Sequence, residues 1–198
     1  MAEKFQEIAF TDSVLKAQEQ YYGVRRIARS EAERDELTED EILFIHSRDS
    51  FYMATVNETG WPYIQHRGGK PGFLRAIGSN QLAFADLKGN RQLLSTGNLS
   101  SNDRVCLFLM DYPMQTRLKI IGHARVEDAH KHADLVTQIA APETKRMVER
   151  IFFIDVVSFD WNCPQHITPR FTVSQIEEAV APLKKRIAEL EAQLKAKN

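Results

Sequence analysis

Apolar residues along this chain change their spacing twice, and the two changes divide it into three stretches. Up to about residue 50 they recur at helical intervals. Thr38 to Glu41 reads as a capping box, with Leu37 and Ile42 placed as a hydrophobic staple around it, which predicts a helix beginning near Thr38. An earlier helix is expected from about Asp12 to Tyr22, ended by Gly23, and the charged stretch from Arg25 to Glu36 reads as solvated.

From Phe51 to about Val126 the pattern becomes short β-branched and aromatic runs separated by turn residues. FYMATVN leads through Glu58, Thr59 and Gly60 into WPYIQHR, a hairpin signal. FLRAIG and LAFAD around Ser79 and Asn80 predict a second hairpin, and RVCLFLMD and LKIIGHARV around Tyr112 and Pro113 a third. Helical sequence near Asp134 to Arg150 precedes one more strand, FFIDVVSFDW. About six strands with few helices between them argue for an antiparallel closed barrel, since parallel strands need a crossover helix each.

From about Ser174 the spacing becomes heptad-like: Ile176, Val180, Leu183, Ile187, Leu190 and Leu194 alternate steps of four and three. Pro182 interrupts the run, so the regular helix is expected to begin close to it. Its apolar stripe is expected against its own domain or a dimer mate rather than a foreign protein. The chain thus divides into an N-terminal helical segment packed on the barrel (1–50), a β-domain (51–173) and a C-terminal helix (174–198). The fold class is mainly β with flanking helices.

Composition changes this picture little. The 198 residues suit one domain with one core, and 43% apolar with 27% charged is ordinary for a globular protein. A formal net charge of -1 provides no global basic field, so nucleic acid is not an expected partner. The first residues lack the cationic and apolar runs of a signal peptide and no long apolar run occurs, so no membrane association and a cytoplasmic location are expected. Cys106, inside VCLFLM, reads as a small buried hydrophobe. Cys163 and His166 alone do not make a zinc site, and no metal is expected.

Two clusters carry candidate chemistry. Gln65, His66, Arg67 and Lys70 surround Gly68 and Gly69 at a strand end, and Lys88, Asn90, Arg91 and Gln92 surround Gly89 where a helix should start. A phosphate monoester carries nearly two charges, and burying it takes several charge-assisted hydrogen bonds that two such clusters can supply. Glycine beside Arg or Lys also marks ordinary solvated turns, so this pattern alone leaves both readings open. A third cluster, FDWNCPQHITPRF, brings Trp161, Cys163, His166 and Arg170 into a proline-stiffened loop. Nucleophile elbow, dinucleotide fingerprint and P-loop are all absent.

Taken together, FYMATVNETGWPYIQHRGG, FADLKGNRQLLSTGNL, RVCLFLMDYP, RLKIIGHARV and FDWNCPQHITPRF resemble the pyridoxamine 5'-phosphate oxidase-like FMN-binding proteins. The resemblance implies a six-stranded split β-barrel working as a homodimer, with FMN sites shared between the subunits. It places cofactor contacts at Gln65, His66, Arg67 and Asn90, with Arg67, Arg91 and Gln92 at the phosphate, His66 beside the ring and Ala85 and Asp86 beside the flavin. Arg117 falls near a position that contacts the ring system. The loop with Trp161, His166 and Arg170 resembles the segment that closes over the flavin from the other subunit, His166 and Arg170 lying on the substrate side. QHITPRF replaces the arginine-leucine-histidine pattern of the vitamin B6 oxidases, so the resemblance implies a flavin pocket without that substrate. Flavin-dependent oxidation of a small-molecule donor is the expected activity. A barrel that holds flavin or haem without turnover is the alternative.

Overall fold

The computed structural model describes residues 2–27, 29–161 and 165–196. Among these residues seven antiparallel strands form one sheet: β1 (Ser50–Val56), β2 (Pro62–Gly68), β3 (Arg75–Ala76), β4 (Gln81–Leu87), β5 (Arg104–Asp111), β6 (Thr116–Asp128) and β7 (Val148–Trp161), in the order β2-β1-β5-β6-β7-β4-β3. All three expected hairpins form, with Phe51 opposite Arg67, Arg75 opposite Ala83, and Leu109 opposite Leu118. Two expectations need correction. The count is seven rather than six because the two-residue β3 pairs as a strand of its own. The barrel is split rather than closed: among the described residues β2 and β3 each pair on one side only, leaving two edges.

The main core lies on one face of the sheet. Strand alternation sends Phe51 and Met53 of β1, Leu107 and Leu109 of β5, and Leu118 and Ile120 of β6 into it. Phe84 and Phe152 stack there at 4.8 Å between ring centroids, on β4 and β7. A smaller cluster of Ala83, Ile139, Ile151 and Phe153 lies on the other face of these two strands. Residues 151 to 154 are therefore buried consecutively, one face in the barrel and the other beneath a helix.

The long strands β6 and β7 bend at an irregularity between Ile121 and Gly122. A Cβ on Gly122 would sit 2.3 Å from the Asp155 carbonyl oxygen, so only glycine allows the two backbones this approach.

The helices are α1 (Glu3–Ala9), α2 (Asp12–Tyr22), α3 (Glu39–His46), α4 (Leu94–Ser101), α5 (Ala133–Ile139) and α6 (Val173–Lys195). The N-terminal pair has one hydrophobic anchor each, Phe5 and Leu15. Gly23 ends α2 in the left-handed region, and Thr38 caps α3 with the reciprocal Glu41 bond, both as expected. The solvated stretch is tied down at its end, because buried Asn80 accepts from the Leu37 amide (2.8 Å) and donates to the Asp35 carbonyl (2.8 Å).

Three further expectations change. The helix near Asp134 to Arg150 stops at Ile139, since the residues leading into Val148 turn back to start β7. Cys106 is half-buried, because strand alternation sends Val105 and Leu107, not Cys106, into the core. The C-terminal helix runs unbroken through Pro182, its start fixed upstream by Thr172, whose hydroxyl accepts from the Gln175 amide in a capping box. No helix among the described residues is long and apolar enough to cross a membrane.

Candidate functional site

Strand β2 sits at the sheet edge and alternates strictly, with Tyr63, Gln65 and Arg67 half-buried on one face and Ile64 and His66 exposed on the other. Gln65 Oε1 accepts from the Ser95 hydroxyl at 3.1 Å, which fastens the strand to the first turn of α4. Arg67 lies over the rings of Phe84 (5.5 Å) and Phe152 (5.0 Å), so the core itself holds its guanidinium in place.

Asp86, buried on β4, organises the charges. Its Oδ1 accepts from Arg67 Nη1 at 2.9 Å, and its Oδ2 accepts from Arg150 Nε at 2.9 Å and Nη2 at 2.8 Å. Arg150 stands directly opposite Asp86 on β7, a placement set by sheet register. One carboxylate thereby orients two guanidiniums, and Arg150 Nη2 also pairs with the Glu149 carboxylate at 3.0 Å. Arg67 Nε is buried with no acceptor among the described residues.

The segment after β4 completes the enclosure. Arg91 (φ 63°) and Leu93 (φ 52°) adopt left-handed backbone without being glycine, a conformation that costs about 1–3 kcal/mol each. Asn90 Oδ1 accepts from the Gln92 amide (3.1 Å), and Asn90 Nδ2 donates to Gln92 Oε1 (3.2 Å), so the turn is fixed from within. Arg67, Arg150, Arg91, Gln65, Asn90 and Gln92 all line one cavity of about 230 Å³, with Asp86 in its wall.

A larger cavity of about 820 Å³ adjoins it and shares Arg67, Asp86, Leu87 and Gly89. Phe73, Phe84, Ala85 and Ile139 give it apolar walls, and five Lys or Arg side chains against Asp86 and Glu143 make its lining basic in a protein of net charge -1. Its lining includes an exposed ion pair between Lys70 and Glu143, and the Lys70 ammonium holds that carboxyl below its usual range. Gly69 is needed where the chain turns into this wall, because a Cβ there would meet the Phe73 ring at 2.7 Å.

The structure thus brings Gln65, Arg67, Asp86, Asn90, Arg91 and Gln92 together around the smaller cavity, and His66 and Ala85 onto the larger one. His66 departs from its expected company: strand alternation turns it away from Gln65 and toward Tyr52, whose ring it meets edge-on at 5.5 Å. Four candidates line neither cavity. Trp161 Nε1 donates to Glu41 Oε1 at 2.6 Å and its ring meets Phe44 edge-on at 4.8 Å, so within the protomer it anchors α3. Arg117 lies over Phe108 (5.3 Å) and Arg170 over Tyr112 (4.9 Å). His166 takes a left-handed conformation (φ 66°) beside Ile167, whose carbonyl accepts from Gln115 Nε2 at 2.6 Å. Cys163 lies outside the described residues.

Arg150 was missed. It sits in VERIFF without a neighbouring glycine, and only a register pairing β4 with β7 shows that it reaches Asp86.

The family model described as pyridoxamine 5'-phosphate oxidase matches residues 37–154, more than half of the chain. The chain belongs to that family. The match spans β1 to β6, both cavities and the first half of β7, so the site just described lies in the segment that matches the pyridoxamine 5'-phosphate oxidase family. No curated protein matches the sequence. Similar solved structures include HupZ of Group A Streptococcus, 14% identical, with 68% of this chain and 99% of that one covered and a TM-score of 0.49. General stress protein 26 of Bacillus anthracis is 15% identical over 66% and 92%, with a TM-score of 0.47. An FMN-binding protein of Syntrophomonas wolfei is 10% identical over 62% and 86%, with a TM-score of 0.43. Membership rests on the sequence match.

Proposed function

We propose that this member of the pyridoxamine 5'-phosphate oxidase family is an FMN-dependent oxidoreductase of a small molecule, working as a homodimer. The observation that carries the reading is the guanidinium pair of Arg67 and Arg150, fixed by Asp86 in the wall of a cavity that Arg91 also lines. The donor set fits a phosphate dianion: three guanidiniums and the amides of Gln65, Asn90 and Gln92 line it, and the buried Arg67 Nε lacks an acceptor. The adjoining larger cavity supplies the apolar walls that a planar ring system requires.

FMN, when bound, accepts a hydride at its ring and passes the electrons on. The chain's own tasks are then to neutralise the phosphate, through Arg67, Arg91 and Arg150, and to exclude water along Phe73 and Phe84. One observation supports a second copy: the outer face of β1 and β2 and the turn between them carry exposed Tyr52, Trp61 and Ile64.

Titration with FMN and with riboflavin tests this reading. FMN should bind at least tenfold more tightly, because only it carries the phosphate. Equal affinities would remove the phosphate assignment, and no affinity for either would end the flavin reading. Protein-dependent NAD(P)H oxidation with added FMN supports an enzyme, and its absence in a flavin-loaded protein supports a carrier.

A further inference from the structure

Helix α6 buries none of its 23 residues. Its apolar residues are nonetheless large and aligned: Ile176, Leu183, Ile187, Leu190 and Leu194 are between 42% and 64% exposed, with Val180 half-buried between them. A stripe of this kind on an isolated surface helix is stable only against a partner. The barrel does not provide one, which removes the expectation that α6 packs on its own domain.

The pattern specifies the partner. Steps of four and three place Val180, Ile187 and Leu194 at the first core position of successive heptads and Ile176, Leu183 and Leu190 at the second. The central layers therefore have β-branched residues at the first position and leucine at the second, the combination that favours two parallel strands over three or four. Pro182 falls two positions beyond Val180, off the apolar seam, where its ring does not obstruct a facing helix.

Flanking charges select the orientation. In a parallel, in-register pair Arg186 of each helix faces Glu191 of the other, twice by symmetry, while Lys184 faces the neutral Ala179. An antiparallel pair would oppose Glu177 to Glu191, Lys184 to Lys184 and Arg186 to Arg186, all like charges. Arg186 meets Glu189 of its own helix at 3.2 Å, but that pair is exposed on both sides and is readily exchanged.

We infer that α6 forms a parallel, in-register, two-stranded coiled coil with α6 of a second copy of this chain. The inference refines the homodimer reading above and is independent of flavin binding. The test uses the full chain with Cys106→Ser and Cys163→Ser, so that one introduced thiol reports alone. Under mild oxidation Leu190→Cys should form a covalent dimer nearly completely, because residue 190 meets its own counterpart only in the parallel register. Lys185→Cys, on the outer face, should stay at least tenfold behind. Arg186→Glu should slow the Leu190→Cys reaction severalfold, and adding Glu191→Arg should restore it. Three results would overturn the inference: Leu190→Cys uncoupled or no faster than Lys185→Cys, coupling only in mixtures of Val180→Cys with Leu190→Cys, or light scattering showing more than two copies. Crosslinking in a protein without flavin affinity would sustain the coil and sink only the cofactor assignment.

Discussion

The β2–β4 edge and the β5–β6 end of this molecule are both rich in arginine and aromatic side chains, and they use them in opposite ways. At the edge, Arg67, Arg91 and Arg150 line open volume, with Asp86 held between Arg67 and Arg150, Glu149 pairing with Arg150, and Arg91 exposed. At the other end the same residue types are occupied by their own protomer, Arg117 on Phe108, Arg170 on Tyr112 and Trp161 on Glu41. The difference teaches that residue type does not mark a ligand site. Convergence of donors on a space that protein atoms leave unfilled does.

The largest effect should come from breaking the β5–β6 end. Trp161→Ala removes an aromatic wedge from α3 and leaves the Glu41 carboxylate, which is buried, without its indole donor, so it should cost about 3–5 kcal/mol in chemical denaturation. FMN affinity of the protein that remains folded should change little. A large loss of affinity with stability intact would instead move Trp161 into the cofactor site and erase the contrast between the two regions.

At the open edge, Asp86→Asn tests whether the carboxylate positions the arginines or merely competes with a bound anion. Removing it leaves half-buried Arg67 without its carboxylate and Arg150 with Glu149 alone, and stability should fall by about 2–3 kcal/mol. Simple charge counting predicts tighter FMN binding in this variant. Positioning predicts weaker binding, by about tenfold, because both guanidiniums lose the bonds that aim them. Titration with FMN and riboflavin side by side gives the sign.

How far these two regions were legible in the sequence follows from the range of the interactions involved. Local chemistry was visible: the Thr38 capping box, the Gly23 cap, three hairpins, and the 88–92 segment as a turn into a helix. Non-local register was not. Arg150 and Asp86 are 64 residues apart and meet only because β4 pairs with β7. The two-residue β3 has too little sequence to carry a period. Pro182 misled the reading of α6, because a capping box upstream can start a helix that then runs through a proline. The cofactor role of Trp161 came from resemblance, and its bond to Glu41 spans 120 residues.

Arg91 should give a smaller and more selective effect. The side chain is exposed and sits in a left-handed turn, so Arg91→Ala should leave stability within about 0.5 kcal/mol. Loss of one charge-assisted bond to a phosphate should weaken FMN roughly ten- to hundredfold and leave riboflavin unaffected. A parallel loss for both ligands would mean that Arg91 shapes the turn rather than meeting the phosphate.

The smallest effect is a pH dependence centred on the Glu41 carboxyl. Burial pushes the Glu41 carboxyl up, but bonds from the Thr38 hydroxyl, the Trp161 indole and the Thr38 amide outweigh it and hold the group below the ordinary value of 4.5. A carboxyl depressed by folding stabilises fully above its unfolded pKa, and that contribution disappears as pH falls through the folded value. His46 is also depressed, by burial and then by Arg75, and its Nε2 accepts from the Ala76 amide at 3.1 Å, so its contribution is lost in a higher window, downward from about 6.5. Glu41→Gln should therefore lower stability by about 1 kcal/mol at pH 7, keep that gap constant to about pH 5 while His46 titrates in both proteins, and close it below about pH 4.5. A gap that persists to pH 3 would show that the Trp161 bond does not depend on the carboxylate charge, and the end opposite the cavities would then be held by shape alone.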